Sequence, residues 1–201
     1  MSRSLCVNCK FSLQTCLCED LSVLENKLKV IILQHPSEVK ITKNTARLLT
    51  LCLTQYDIMV GETQADFAQL STLPVATTAF LYPDDNAILL DDESTAAQQF
   101  KSRLSHLIVI DGTWKKAFKI MQLTPALAAF KKVSFTTIPQ NRYRIRKAHR
   151  ADSLSTLEAV AHSLALIEHI NPEPLYHALE ALNSKQTQFM PEHVKARYQA
   201  K

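Results

Sequence analysis

The sequence predicts an α/β fold: a mainly parallel sheet with helices on both faces, led by a small cysteine-rich knuckle. Three observations predict it. From residue 27 onward, short aliphatic runs alternate with stretches of helical period, the pattern of strands joined by crossover helices. The chain has 201 residues, 46% of them hydrophobic and 21% charged, enough for one ordinary domain with its own core plus a small appendage. Four of the five cysteines fall in the first 22 residues. The expected division is therefore a knuckle over residues 1–22 and a main domain over residues 23–201.

The elements follow in order. Residues 28–33 form an aliphatic run bounded by polar residues, a buried strand. Residues 45–55 carry Leu48, Leu49 and Cys52 at helical spacing, which places Cys52 in the core. Strands are expected over residues 58–60 and 79–82, the latter stopped by Pro83. The acidic stretch holding Asp84, Asp85, Asp91, Asp92 and Glu93 reads as solvated loop, with a helix over residues 95–104 after it. Residues 107–110 are the clearest strand, followed by a helix over residues 114–121 and a strand over residues 133–137. Beyond residue 154 the chain reads as helical. Leu154, Leu157, Ala161, Leu164 and Ile167 share one stripe, and further helices are expected over residues 174–182 and 191–199.

Several function classes are excluded early. Gly61 and Gly112 are the only glycines, so neither a G-x-G-x-x-G loop nor a P-loop can be written. Any nucleotide-like cofactor must bind another way. The amino-terminal residues lack an apolar signal core, and the longest aliphatic runs are too short to span a bilayer. The protein reads as cytoplasmic, with no membrane partner. A net charge of +4 permits a nucleic-acid partner without demanding one.

Cys6, Cys9, Cys16 and Cys18 have the spacing C-x2-C-x6-C-x-C. In a reducing compartment such a cluster favours metal over disulfides. Four thiolates close a tetrahedral shell around a structural Zn²⁺, whose binding supplies folding energy to a segment with little core. An iron–sulfur cluster on the same ligands and unliganded thiols are the alternatives.

Asp111, Gly112, Thr113 and Trp114 stand where the strongest strand ends and a helix begins. Ligands gather at such strand ends in α/β sheets. Alternatively, Asp111 or Thr113 caps the helix, Gly112 permits the turn and Trp114 is core. His35 and Pro36 follow the strand over residues 28–33, and Asn44 and Thr45 open the next helix; a loop histidine and a helix cap are the plain readings of these. Residues 141–150 hold five Arg or Lys side chains around Tyr143, suited to phosphate contact and base stacking or to a solvated basic loop. Lys115, Lys116, Lys119, Lys131 and Lys132 extend that surface. Ser155 and Glu158 spell a capping box, and a helix start also seats a carboxylate well.

Taken together and in order, these blocks resemble the DTW-domain family, named for its Asp-x-Thr-Trp motif, here Asp111-Gly112-Thr113-Trp114. The resemblance extends over the four cysteines, His35-Pro36, Asn44-Thr45, Tyr143-Arg144, and Leu154-Ser155-Thr156 with Glu158-Ala159. It implies transfer of a 3-amino-3-carboxypropyl group from S-adenosylmethionine to N3 of a tRNA uridine, releasing 5′-methylthioadenosine. It also implies a SPOUT-like fold with a carboxy-terminal knot. In that reading Asp111, Thr113 and Trp114 are catalytic, with Asp111 the base for the N3 proton. His35, Pro36, Asn44, Thr45, Leu154, Ser155, Thr156 and Glu158 bind S-adenosylmethionine. Lys115, Lys116, Arg142, Tyr143, Arg144, Arg146 and Lys147 bind tRNA. No obligate protein partner is expected, and the chain would act as a monomer or weak homodimer. The rival readings are a SPOUT-like RNA methyltransferase and a non-catalytic zinc-containing RNA-binding module.

Overall fold

A computed structural model of the chain describes residues 4–143, 145 and 154–191. Six strands form one sheet: β1 (Lys29–Gln34), β2 (Tyr56–Val60), β3 (Thr78–Leu81), β4 (Ile88–Leu89), β5 (His106–Asp111) and β6 (Lys131–Ser134). Their order is β2-β1-β5-β3-β6-β4, and every pairing is parallel. Among the described residues five α-helices accompany them: α1 (Ala46–Cys52), α2 (Thr95–Lys101), α3 (Trp114–Leu123), α4 (Thr156–Glu168) and α5 (Glu173–Thr187).

The central strands β1 and β5 are apolar between polar ends because both faces are covered. In β1, Val30 and Ile32 enter the core shared with α1, α4 and α5. The intervening Ile31 and Leu33 enter a second core against α3. β5 divides in the same way, Leu107 and Val109 to one side and Ile108 to the other. The period of two thus sorts each strand between two layers. The expected parallel sheet with helices on both faces is what the residues build.

This topology fixes where a ligand can sit. β1 continues into α1 on one face, and its neighbour β5 continues into α3 on the other. The strand order therefore switches between β1 and β5, and their carboxyl ends border a crevice.

The cysteine-rich segment is not a detached appendage. Cys6, Cys9, Phe11 and Leu17 are buried in the same core as α1, α4 and α5. The Arg47 guanidinium of α1 lies 5.0 Å over the Phe11 ring, a cation–π contact. With two glycines in the chain, neither at positive φ, the left-handed positions among the described residues fall to Lys10 in the knuckle and His169 closing α4.

Three expectations need adjusting. The stretch read as acidic loop contains β4, a two-residue edge strand too short to show periodicity. α1 stops at Cys52 because Leu53 is already extended. β6 begins at Lys131, two residues before the aliphatic signal, because Lys131 and Lys132 pair with β3 and lysine stems can lie along apolar surface. The helix expected over residues 191–199 lies almost wholly outside the described residues.

Candidate active site and cysteine cluster

Asp111 ends β5 and is 3% exposed. Its Oδ2 accepts from the amide of Asn44 at 2.7 Å and of Gln34 at 2.9 Å. Its Oδ1 accepts from the Thr156 hydroxyl at 2.7 Å. One carboxylate thus ties the end of β1, the entry to α1 and the first turn of α4 to β5. Asn44 Oδ1 in turn accepts from the Ala46 N–H at 2.9 Å, and the Thr45 hydroxyl accepts from the Leu157 N–H at 3.4 Å. Neither Asp111 nor Thr113 caps α3 through its side chain. The carboxylate is committed elsewhere, and the Thr113 hydroxyl makes no cap bond. Thr113 and Trp114 are exposed at the head of α3.

Gly112 allows a close approach. A Cβ there would come 3.1 Å from Lys116 Cβ and 3.7 Å from His35 Cβ. That brings His35 beside the motif. His35 Nδ1 accepts from the Ser37 N–H at 3.2 Å, which places its proton on Nε2. That proton faces Glu62 Oε1 at 2.5 Å, and the other oxygen of Glu62 takes Lys119 at 2.5 Å. The Lys119 hydrogen bond is the main reason the Glu62 carboxyl lies below its ordinary value. Pro36 starts the short turn behind His35.

On α4 the capping box is complete. Ser155 Oγ accepts from the Glu158 N–H at 3.3 Å, and Glu158 Oε2 takes the Ser155 N–H at 2.8 Å. Glu158 Oε1 accepts from the backbone of Arg142 at 2.6 Å and of Tyr143 at 3.2 Å. Expected as a cofactor ligand, Glu158 is 1% exposed and pins the segment before α4 to its first turn. Leu154 is half-buried just ahead of the cap.

The proposed RNA contacts divide. Tyr143 is 5% exposed and its hydroxyl donates to the Lys43 carbonyl. Its ring packs in the core, which leaves no face for a base. Arg142 meets Glu173 at 3.1 Å and Glu180 at 3.7 Å, with its guanidinium 4.3 Å over the Tyr176 ring. Lys116 pairs with Glu38 at 2.8 Å, whereas Lys115 is exposed. Arg144, Arg146 and Lys147 lie outside the described residues. Two residues of the crevice escaped the sequence reading, Gln34 and Glu62. Gln34 had a signal, being the polar end of an apolar strand; Glu62 had none.

The four knuckle sulfurs all lie within 4.8 Å of one another. Cys6 and Cys18 are 3.6 Å apart, Cys9 and Cys16 3.7 Å. A tetrahedral Zn²⁺ with bonds of about 2.3 Å sets its sulfurs about 3.8 Å apart, so these residues fit the metal. Backbone N–H groups of Cys9 and then Asn8 hold the Cys6 thiol at about 6, while neighbouring Cys16 and Cys6 push Cys18 up to about 12. Sulfurs this crowded cannot all ionise without a cation among them.

The family model for the DTW domain matches residues 3–187 of this chain. The chain belongs to the DTW-domain family. Its Asp-x-Thr-Trp motif is therefore the turn from β5 to α3, with the aspartate inward and the threonine and tryptophan outward. Over 195 residues this DTW-domain chain is 31% identical to tRNA-uridine aminocarboxypropyltransferase 2 of Macaca fascicularis, covering 92% of this chain and 64% of that protein. It is 30% identical over 176 residues to the protein of that name from Drosophila melanogaster, covering 83% and 67%. It is 27% identical to tRNA-uridine aminocarboxypropyltransferase A of Arabidopsis thaliana, covering 83% and 73%. The chain spans about two thirds of the length of the animal relatives it matches. No solved structure matches it.

Proposed function

We infer that this protein transfers the 3-amino-3-carboxypropyl group of S-adenosylmethionine to N3 of a tRNA uridine and releases 5′-methylthioadenosine. The observation that carries this reading is the coincidence of two things: relatives named for that activity, and the family motif seated at the switch point between β1 and β5.

The sulfonium of the co-substrate activates three carbons, and geometry selects which one is attacked. The bond that forms joins N3 to the γ-carbon of the methionyl chain. The bond that breaks is γ-carbon to sulfur, whose electron pair stays on the departing thioether. The N3 proton must leave, and Asp111 is the base in this reading. Its geometry names the atom: Oδ2 already has two donors, whereas Oδ1 has one, the Thr156 hydroxyl. Substrate N3–H would therefore meet Oδ1, sharing or replacing that hydroxyl. Thr113 and Trp114 face outward and would order the incoming uridine.

His35, Pro36, Asn44, Thr45, Leu154, Ser155 and Thr156 line the approach to the co-substrate in this reading, with Glu158 acting as brace. The Leu157 and Glu158 N–H groups are taken by Thr45 and Ser155, so a bound carboxylate would rely on other donors. A SPOUT-like fold with a carboxy-terminal knot is part of this reading, and the lack of a glycine-rich loop favours such a site; residues 144, 146–153 and 192–201 lie outside the described residues. Cys6, Cys9, Cys16 and Cys18 would hold a structural Zn²⁺ that braces Phe11 and Leu17 against the core. The reading also takes the protein as cytoplasmic and free of an obligate protein partner, as a monomer or weak homodimer. Among the described residues no helix is long and apolar enough to cross a membrane.

The by-product tests the reading. Purified protein given unmodified tRNA and S-adenosylmethionine should release 5′-methylthioadenosine. Release of S-adenosylhomocysteine would make it a methyltransferase instead, and tRNA binding without co-substrate binding would make it a binding module.

A further inference from the structure

α3 turns Ala117 and Ile120 into the core and leaves Trp114, Lys115, Phe118 and Lys119 in solvent. An amphipathic helix ordinarily fills that outer stripe with polar side chains. Here Trp114 is 48% and Phe118 53% exposed, and a spacing of four residues makes them neighbours. Tyr82 meets the Trp114 ring edge-on with centroids 6.4 Å apart, and the Lys132 ammonium lies 5.8 Å over the Tyr82 ring. The patch begins three residues after Asp111, and Lys119 links it to the crevice through Glu62, which also meets His35.

Charge and composition say what fits there. Lys119 is bonded to Glu62 and Lys132 to Asp84, while Lys115 has no carboxylate partner among the described residues. Three ammonium groups against two carboxylates leave a small positive excess. Lysine is depleted at the cores of protein–protein interfaces, which argues against a second protein chain. Aromatic rings interleaved with lysines suit unpaired nucleotides, whose bases stack while their phosphates take the cations.

We propose that the outer face of α3 docks the unpaired loop of the RNA substrate, with Phe118 stacking on a base beside the target uridine and Lys115 meeting a phosphate. The proposal rests on the reading that the substrate is tRNA. It places the RNA contact on α3 and away from Arg142 and Tyr143, which are committed within the protein.

Trp114 is the chain's only tryptophan, so its emission reports docking directly. Titrating the full chain with unmodified tRNA should quench that emission. Phe118→Ala should weaken tRNA binding about tenfold, the usual effect of losing one stacked base. That loss should be similar at low and high salt, because stacking releases no counterions. Phe118→Tyr should restore binding, and Lys115→Ala should flatten the salt dependence. S-adenosylmethionine affinity and thermal stability should not change in Phe118→Ala. Wild-type tRNA affinity and modification in Phe118→Ala would overturn the docking face while leaving the proposed reaction standing. Loss of self-association with unchanged tRNA binding would assign the face to a second copy and overturn it too. A wild-type protein that neither binds nor modifies tRNA would overturn the RNA reading and this face with it.

Discussion

Asp111→Ala should destabilise the protein far more than Asp111→Asn. Removing the carboxylate strips the Asn44 amide and the Thr156 hydroxyl of their only hydrogen-bond acceptor among the described residues, whereas the Gln34 amide keeps the Asn44 oxygen at 3.3 Å. Two buried donors are left unsatisfied. At about 1–3 kcal/mol each, the cost is on the order of 4 kcal/mol. For a chain of this size that lowers Tm by roughly 8–16 °C. The asparagine variant behaves differently. Its carbonyl oxygen can keep both amide donors, and its NH₂ can donate to the Thr156 hydroxyl once that hydroxyl rotates. Its cost should stay below about 1.5 kcal/mol. Urea unfolding of the two variants beside wild type measures both values. Asp111→Asn should then remain folded and bind S-adenosylmethionine while transfer slows greatly, because an amide takes no proton. Equal destabilisation by both variants, or a loss below about 1 kcal/mol for Asp111→Ala, would refute the bracing role of Asp111. Full turnover in Asp111→Asn would remove it as the base.

Two further perturbations probe other parts of the molecule. Cys9→Ser removes one ligand from the four-sulfur shell, so bound zinc measured by elemental analysis should fall well below one per chain and Tm should drop, since Phe11 and Leu17 lose their brace; undiminished zinc would contradict the four-cysteine site. Asp91 is raised by desolvation but held at about 2 by the N–H groups of Thr137 and Thr136 and the Thr136 hydroxyl, which prevail. A carboxyl depressed in the folded state stabilises above its unfolded value, about 3.9, and loses that contribution as pH falls toward 2. Asp91→Asn should therefore be the less stable protein at neutral pH, with the gap narrowing between pH 4 and pH 2 in urea unfolding; a gap independent of pH would contradict the assignment.

Much of this fold was legible because its signals are local. Residues 30–33 and 107–110 are apolar at every position, which is what a strand buried on both faces requires, and these became the centres of the paired strands β1 and β5. The capping box was equally local: Ser155 and Glu158 are three apart, and their bonds formed as the spacing implies. What could not be read depends on partners distant in sequence. Nothing near Asp111 announces that its acceptors will be filled by Gln34, Asn44 and Thr156, 77, 67 and 45 residues away. Tyr143 illustrates the opposite error. Its basic neighbours suggested a stacking surface, yet its ring is buried and its hydroxyl bound to Lys43. Local composition reports charge density; only tertiary packing decides which ring faces water. β4 escaped for a simpler reason, since two residues cannot display a period.

The central claim is that the methionyl chain, and not the methyl group, moves to tRNA. It is tested most directly with two preparations of S-adenosylmethionine, one labelled in the carboxyl carbon and one in the methyl group, each incubated with the protein and unmodified tRNA. The carboxyl label should enter the tRNA in a uridine carrying the aminocarboxypropyl group, while the methyl label stays in 5′-methylthioadenosine. Methyl label in the tRNA, with carboxyl label left in the small-molecule fraction, would contradict the account.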